Sequence, residues 1–320
     1  MISEIAKKTI LVTGGCGFIG SHLITNLFQL GAKAILVLDS FEYGLLKNID
    51  SSKKPIQIFK HRLGADSFSF LEKTLEGVDC IFHLAAEKHN QSIDNPLKVI
   101  DANISGTQAL LQAAVACGVK KVVFASSLYA YGRMKGGLFD EEETLQPKTV
   151  YGISKVAGEH LCAHFNEKHG LPFVALRYLF VYGPRQYANL GYKSVIVKNF
   201  QRLIAGNSPI IKGDGQQTLD YVFVEDAVSA TIKAMESSLS SDVLNVCTGK
   251  PITVTNLIQK IQEVAGTRLP PIFEPADATH GSSRVGDPAR LMTKLGYVSK
   301  TQLDDGLKST FQWIKETRSR

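Results

Sequence analysis

Of the 320 residues only five are cysteine, at 16, 80, 117, 162 and 247, and no two form a CxxC pair. Their odd number, wide spacing and apolar surroundings exclude a disulfide framework and a cysteine-based zinc site, and point to reduced thiols in a cytoplasmic protein. No apolar run reaches membrane-spanning length, so no membrane association is expected. The opening MISEIAKKTILVTGG runs straight into a strand-like segment, and a cleavable signal is not expected. Basic residues do not cluster with aromatics, which argues against nucleic acid as a partner. The net charge of +6 is mild and suits an anionic small substrate. Repeats and low-complexity segments are also missing. Hydrophobic residues at 44% and charged residues at 21% are ordinary for a globular chain.

What is present alternates. Apolar, β-branched runs at 9–14, 34–39, 56–59, 80–85 and 121–126 read as strands. Helical patterns lie between them. Residues 21–30 place Leu23, Ile24, Leu27 and Leu30 on one face. Residues 103–118 do the same with Ile104, Leu110, Leu111, Ala114 and Val115, and end in Gly118 as a C-cap. A helix over 152–168 is expected to bury Ile153, Val156, Ala157, Leu161 and Phe165. Further strands fit 171–178 and 242–248, and late helices 255–265 and 303–316. Continuous apolar strands separated by helices predict an α/β fold with a doubly wound parallel sheet.

The stretch TGGCGFIGSHL, 13–23, spaces Gly14, Gly17 and Gly20 between a strand end and a helix start, and Asp39 ends the next strand. Glycines admit a close pyrophosphate, and the helix start offers free N–H groups. The acid accepts from a ribose 2′-hydroxyl and repels a 2′-phosphate, so the cofactor predicted is NAD. Tyr151 and Lys155 stand four apart, one turn along a helical face. A nearby ammonium and an oxidised nicotinamide would favour the phenolate. That base can take a proton from a sugar-like hydroxyl while hydride leaves the same carbon. Ser126 or Ser127, at the end of the fifth strand, can steady the oxygen.

The segments TGGCGFIG, HLAA (83–86), NISGT (103–107), SSLYAYG (126–132), YGISK (151–155), LRYLFVYGPRQ (176–186) and GDGQQTLDYVFVEDAV (213–228) stand in the order of the extended short-chain dehydrogenase/reductase superfamily. Within it the chain resembles the NAD-dependent nucleotide-sugar epimerase/dehydratase family over about residues 9–315. The resemblance implies a Rossmann domain over 1–177, completed by about 221–248, and a smaller C-terminal substrate-binding lobe from 178–220 and 249–320 that closes on a nucleotide sugar. It implies Ser127, Tyr151 and Lys155 as catalytic residues, with Tyr151 the base. Gly14, Gly17, Phe18, Ile19, Gly20, Asp39, Ala85, Lys88, Tyr151 and Lys155 would hold NAD. Asp66 would stand in for the family's adenine-binding acid, since Gly64 occupies that position. The implied reaction is epimerisation at C4 with hydride parked on tightly bound NAD. Other NAD-linked chemistry and a silent NAD sensor are the alternatives. A homodimer pairing the 103–118 and 152–168 helices is also implied.

Three departures matter. Leu128 and Tyr129 follow Ser127 where the dehydratases carry Asp-Glu, and Tyr129 stands where the decarboxylases tend to carry Glu; Tyr129 would instead pack near the sugar. Phe180 replaces an asparagine that often contacts the diphosphate. Leu219 replaces a phosphate-binding arginine, for which Arg185 and Arg284 are the candidate substitutes. Side chains 88–92 and 187–197 would choose base and sugar. His83 reads as a structural group and Asp140 to Glu143 as a solvated loop. No metal site is expected, since His89, His160 and His164 lack acids at ligand spacing.

Overall fold

Thr9–Thr13 has four successive residues wholly buried, which only a strand covered on both faces can sustain. In the computed structural model it is an inner strand of a seven-stranded sheet. The structure describes residues 4–50, 55–132, 136–187, 194–277 and 281–318. The strands are β1 (Thr9–Thr13), β2 (Ala34–Asp39), β3 (Ile56–Lys60), β4 (Cys80–His83), β5 (Lys121–Ser127), β6 (Phe173–Tyr178), β7 (Phe180–Tyr182), β8 (Ile210–Lys212), β9 (Thr218–Leu219), β10 (Tyr221–Phe223), β11 (Ser241–Val246), β12 (Ile252–Thr253), β13 (Ile272–Glu274) and β14 (Ser283–Arg284). The helices are α1 (Phe18–Gln29), α2 (Phe68–Thr74), α3 (Gln91–Asp94), α4 (Pro96–Ile100), α5 (Gly106–Ala116), α6 (Val150–His169), α7 (Val195–Ile204), α8 (Val224–Glu236), α9 (Val254–Ala265), α10 (Ala289–Leu295) and α11 (Leu303–Arg318).

The chain divides into two units. The first comprises 1–132, 144–178 and 228–244. Its sheet runs β11-β6-β5-β4-β1-β2-β3, with the β1 to β6 pairings parallel. This is the doubly wound order, with the switch point between β1 and β4. One side of the sheet is filled by Leu11, Ile81, Val122 and Phe124 against Leu71, Leu110, Leu111, Ala114 and Phe165 from α2, α5 and α6. α5 is shorter than the expected helix because residues 101–105 form a wider π turn before it.

α6 buries a different face from the one expected. Gly152, Ser154, Lys155, Gly158, Glu159, Cys162 and Phe165 point inward, and Ile153 is 48% exposed. The cause is local. Gly158 lies flat on the Phe124 ring, where a Cβ would overlap it. Glu159 is neutralised in the interior by Arg177, with Nε–Oε1 at 2.9 Å and Nη2–Oε2 at 2.7 Å. Leu30 of the first helical pattern is likewise exposed, as the C-cap of α1.

The second unit comprises 133–143, 179–227 and 245–320. Among the described residues it holds three small sheets, β7 with β10, β9 between β12 and β14, and β8 with β13. Within it α7, α9 and α11 pack together, with the Phe200 and Phe311 rings 5.0 Å apart. The acidic run at 140–143 is more than a solvated loop. Glu141 accepts from Asn245 N at 2.5 Å, and Glu142 pairs with Arg290. Of the expected specificity segment 187–197, residues 188–193 lie outside the described part.

Candidate active site

The first unit carries the candidate cofactor cradle. β1 ends at Thr13, and Gly14 turns the chain with φ +68°, a backbone region costly for any side chain. A Cβ there would also lie 2.8 Å from Ala85 N. Gly17 caps α1, and a Cβ on it would meet Gly14 O at 3.1 Å and no other atom within 4 Å. The space in front of Gly17, at the open N–H end of a 12-residue helix, therefore fits a pyrophosphate. Phe18 and Ile19 form the first turn of α1, and Gly20 presses against Gly14 O.

Asp39 ends β2, 5% exposed. One carboxylate oxygen accepts from Cys16 N at 2.9 Å and the other from Phe41 N at 2.8 Å. Burial raises its carboxyl above the usual range, while those N–H groups and Lys88 work in the opposite direction. It is thus held rigidly at the strand end, where a ribose would lie. Burial lowers the Lys88 ammonium to about 8 despite Glu87 and Asp39. Asp66 is exposed beside His61, and Gly64 packs against Asp101, which accepts from Ala65 N at 3.1 Å.

Thr149 starts α6 by accepting from Gly152 N at 3.0 Å. Gly152 lets that first turn lie against Tyr129 O, where a Cβ would sit 2.5 Å away. The turn after β5 and the start of α6 are so brought together, and Ser127 comes near enough to Tyr151 to favour its phenolate. Lys155 Nζ donates to Ala125 O at 2.8 Å and lies 5.7 Å from the centre of the Tyr151 ring. Strand alternation sends the neighbouring Ser126 to Glu159 instead. Burial raises Tyr151 to about 12, helped by Tyr129 and opposed by Ser127. Burial lowers Lys155 to about 8. The chain's own groups therefore do not outweigh burial, and the phenol stays raised rather than depressed. The Tyr129 ring meets Tyr151 edge-on at 5.7 Å and stacks on His89 at 4.3 Å.

Several supporting residues escaped the sequence reading. Asn103 bonds Glu87 through both backbone groups, at 2.7 and 3.1 Å, and Ser154 Oγ at 3.0 Å. It ties the loop after β4 to α6; the NISGT segment was its signal. His83 is structural, bonded to Thr13 at 2.7 Å and Thr107 at 2.9 Å, and burial holds it neutral with a pKa of about 3.

In the second unit Phe180 is buried with its ring 5.7 Å from Tyr221. Arg284 is the register partner of Leu219 and only 8% exposed. Arg185 is half-buried with φ +64°, an uncommon value for a residue with a side chain. Among the described residues no cluster of His, Cys, Asp and Glu could hold a metal ion. No described helix is long and apolar enough to cross a membrane.

The profile of the NAD dependent epimerase/dehydratase family matches residues 10–247. A UDP-glucose 4-epimerase of Lactobacillus helveticus is 31% identical over 96% of this chain and 97% of its own. The UDP-glucose 4-epimerase of Thermotoga maritima, solved with UDP-glucose, superposes with a TM-score of 0.90 at 32% identity over 97% of this chain and 99% of that one. The dTDP-glucose 4,6-dehydratase DesIV of Streptomyces venezuelae, solved with NAD bound, also gives 0.90, at 27% identity over 97% and 98%.

Proposed function

The chain belongs to the NAD dependent epimerase/dehydratase family, and we propose that within it the protein epimerises the sugar of a nucleotide sugar at C4. The observation that carries this reading is Tyr151 with Lys155 Nζ 5.7 Å from its ring centre and Ser127 near enough to favour its phenolate, followed by Leu128 and Tyr129 where a dehydratase needs two acids. Gly14, Gly17, Phe18, Ile19, Gly20, Asp39, Ala85 and Lys88 hold the cofactor in this reading, with Asp66 the weakest member. NAD supplies reversible hydride exchange at C4, so that oxidation and re-reduction there invert the carbon.

Tyr151 Oη takes the C4 hydroxyl proton and later returns it. Ser127 Oγ donates to the same sugar oxygen. Lys155 orients the nicotinamide ribose. The chain's groups leave the phenol near 12, so a positive charge beside Tyr151 in the loaded site must bring it down. Tyr129, propped by His89, forms an apolar wall. Leu128 has no acid–base capacity and Tyr129 little near neutrality, which leaves no pair to eliminate water. On the second unit Arg185 and Arg284 bind the diphosphate in place of the missing family contacts at 180 and 219.

We also propose a homodimer through α5 and α6. The exposed Ile153 on α6, with Leu97 and Ile100 on the adjoining α4, supports it. The five free cysteines suit a cytoplasmic location.

The test is the near-ultraviolet NADH absorbance of NAD-loaded protein on adding UDP-, GDP-, CDP- and dTDP-sugars one at a time. A small rise with one of them and no free NADH supports epimerisation. Accumulating NADH means a dehydrogenase, and a 4-keto-6-deoxy product means a dehydratase. Silence with all four removes the nucleotide-sugar reading in favour of an NAD sensor.

A further inference from the structure

Two loops of the first unit flank the cofactor cradle. One follows β2 and carries Glu42 and Tyr43; the other follows β4 and carries Glu87 and Lys88. β1 lies between β2 and β4 in the sheet. A bond between these loops therefore crosses the end of β1, where the glycine turn leaves it.

Such a bond is present. Tyr43 Oη donates to Glu87 Oε2 at 3.0 Å and lies 3.3 Å from Glu42 Oε1. Lys88 Nζ stands 4.6 Å from the centre of the Tyr43 ring, so phenol and ammonium pack across the same gap. Glu87 is 5% exposed. Its other oxygen, Oε1, faces Lys98 Nζ at 3.2 Å and Arg62 Nε at 4.0 Å. Lys98 also pairs with Glu42. The loop after β2 is anchored below by Leu45 N to Cys16 O at 3.0 Å, so Tyr43 is presented from a fixed base. The sheet needs none of these contacts, and the proposed chemistry uses neither Tyr43 nor Glu87.

We infer that Tyr43 and Glu87 form a strap across the cradle, and that Tyr43 is a positioning residue that sets the rate of NAD exchange. The strap joins groups of the protein to each other, so it favours neither the empty nor the loaded cradle. It must part for a dinucleotide to pass between the loops, so it slows entry and exit alike. Slow exchange suits a cycle that takes hydride and returns it to the same sugar. That advantage rests on the epimerase reading; the strap itself requires only that the cradle bind NAD.

Tyr43→Phe tests this, because it removes the hydroxyl and keeps the ring over Lys88. Release of NAD is followed by chase with excess unlabelled NAD, and entry by stopped-flow fluorescence, with no sugar present. Release and entry should both quicken on the order of tenfold, the effect of one hydrogen bond to a charged group. Kd should stay within about twofold, and the melting temperature of the NAD-free protein should fall by only a few degrees, about the effect of one lost hydrogen bond. Glu87→Gln, which keeps an acceptor without the charge, should fall between the two proteins. Unchanged release in Tyr43→Phe overturns the strap. So does faster release without faster entry, which would make the hydroxyl part of the binding site itself. Since no sugar is added, neither result depends on which sugar reaction the enzyme performs.

Discussion

Arg284 stands beside Leu219 in parallel register, on strands hydrogen-bonded to each other. Register partners in a parallel pair present side chains on the same face. The cation missing at 219 is thus available one strand away. Arg284→Ala should raise KM for the nucleotide sugar about 10- to 100-fold, the effect of one lost charge-assisted contact. kcat and NAD affinity should change little. Adding Leu219→Arg to that variant should recover part of the loss. An unmoved KM would remove Arg284 from the diphosphate.

Tyr151→Phe should leave NAD bound and the fold intact while cutting turnover by roughly 100- to 10,000-fold, the usual range for a lost acid–base group. Activity within tenfold of the wild type would sink the proposed base.

The same site predicts a pH profile. With Tyr151 as the proposed base, turnover needs it without its proton, so kcat should climb with pH toward the phenol's pKa in the loaded enzyme. It should fall above about 8, as Lys155 gives up its proton. A kcat profile flat from pH 6 to 9 would contradict both assignments.

Asp39→Ala should relax the preference for NAD over NADP, because the carboxylate that repels a 2′-phosphate is gone. It also strips acceptors from Cys16 N and Phe41 N, so a lower melting temperature should accompany it. Unchanged cofactor selectivity would mean that the acid does not reach the ribose.

His83 makes stability depend on acid. Below pH 6.5 the unfolded chain binds a proton that the folded chain refuses until about pH 3. The folded state is therefore favoured above 6.5, and that advantage shrinks as pH falls, by at most about 1.4 kcal/mol per pH unit. Urea unfolding between pH 7 and 5 should show a shallower decline in His83→Gln than in the wild type. Parallel curves would mean that His83 does not carry this dependence.

The main sheet was readable because most of its strands are apolar runs and its helices punctuate them. The glycine turn, Asp39 and the Tyr151–Lys155 pair were readable because each is a local pattern in a recognisable place. The face of α6 was not. A period-3.6 count places Ile153 inward, but Gly158 against Phe124 and Glu159 against Arg177 turn the helix the other way. Both are long-range pairings that no window of sequence contains. The Tyr43–Glu87 bond was hidden for the same reason, spanning 44 positions. Arg284 was located only as a candidate, since its place beside Leu219 depends on two-residue strands with no pattern of their own.

The sheet order also fixes a sequence of events during synthesis. β1 to β6 are complete once residue 178 has been made, yet the outer edge of β6 is covered by β11, which begins at residue 241. At about 5–20 residues per second that edge waits roughly 3–13 s for its neighbour. Throughout that time a nascent chain presents an apolar strand edge open to pairing with another copy. The aggregation hazard of this protein therefore lies in translation, and slow elongation beyond residue 178 prolongs it.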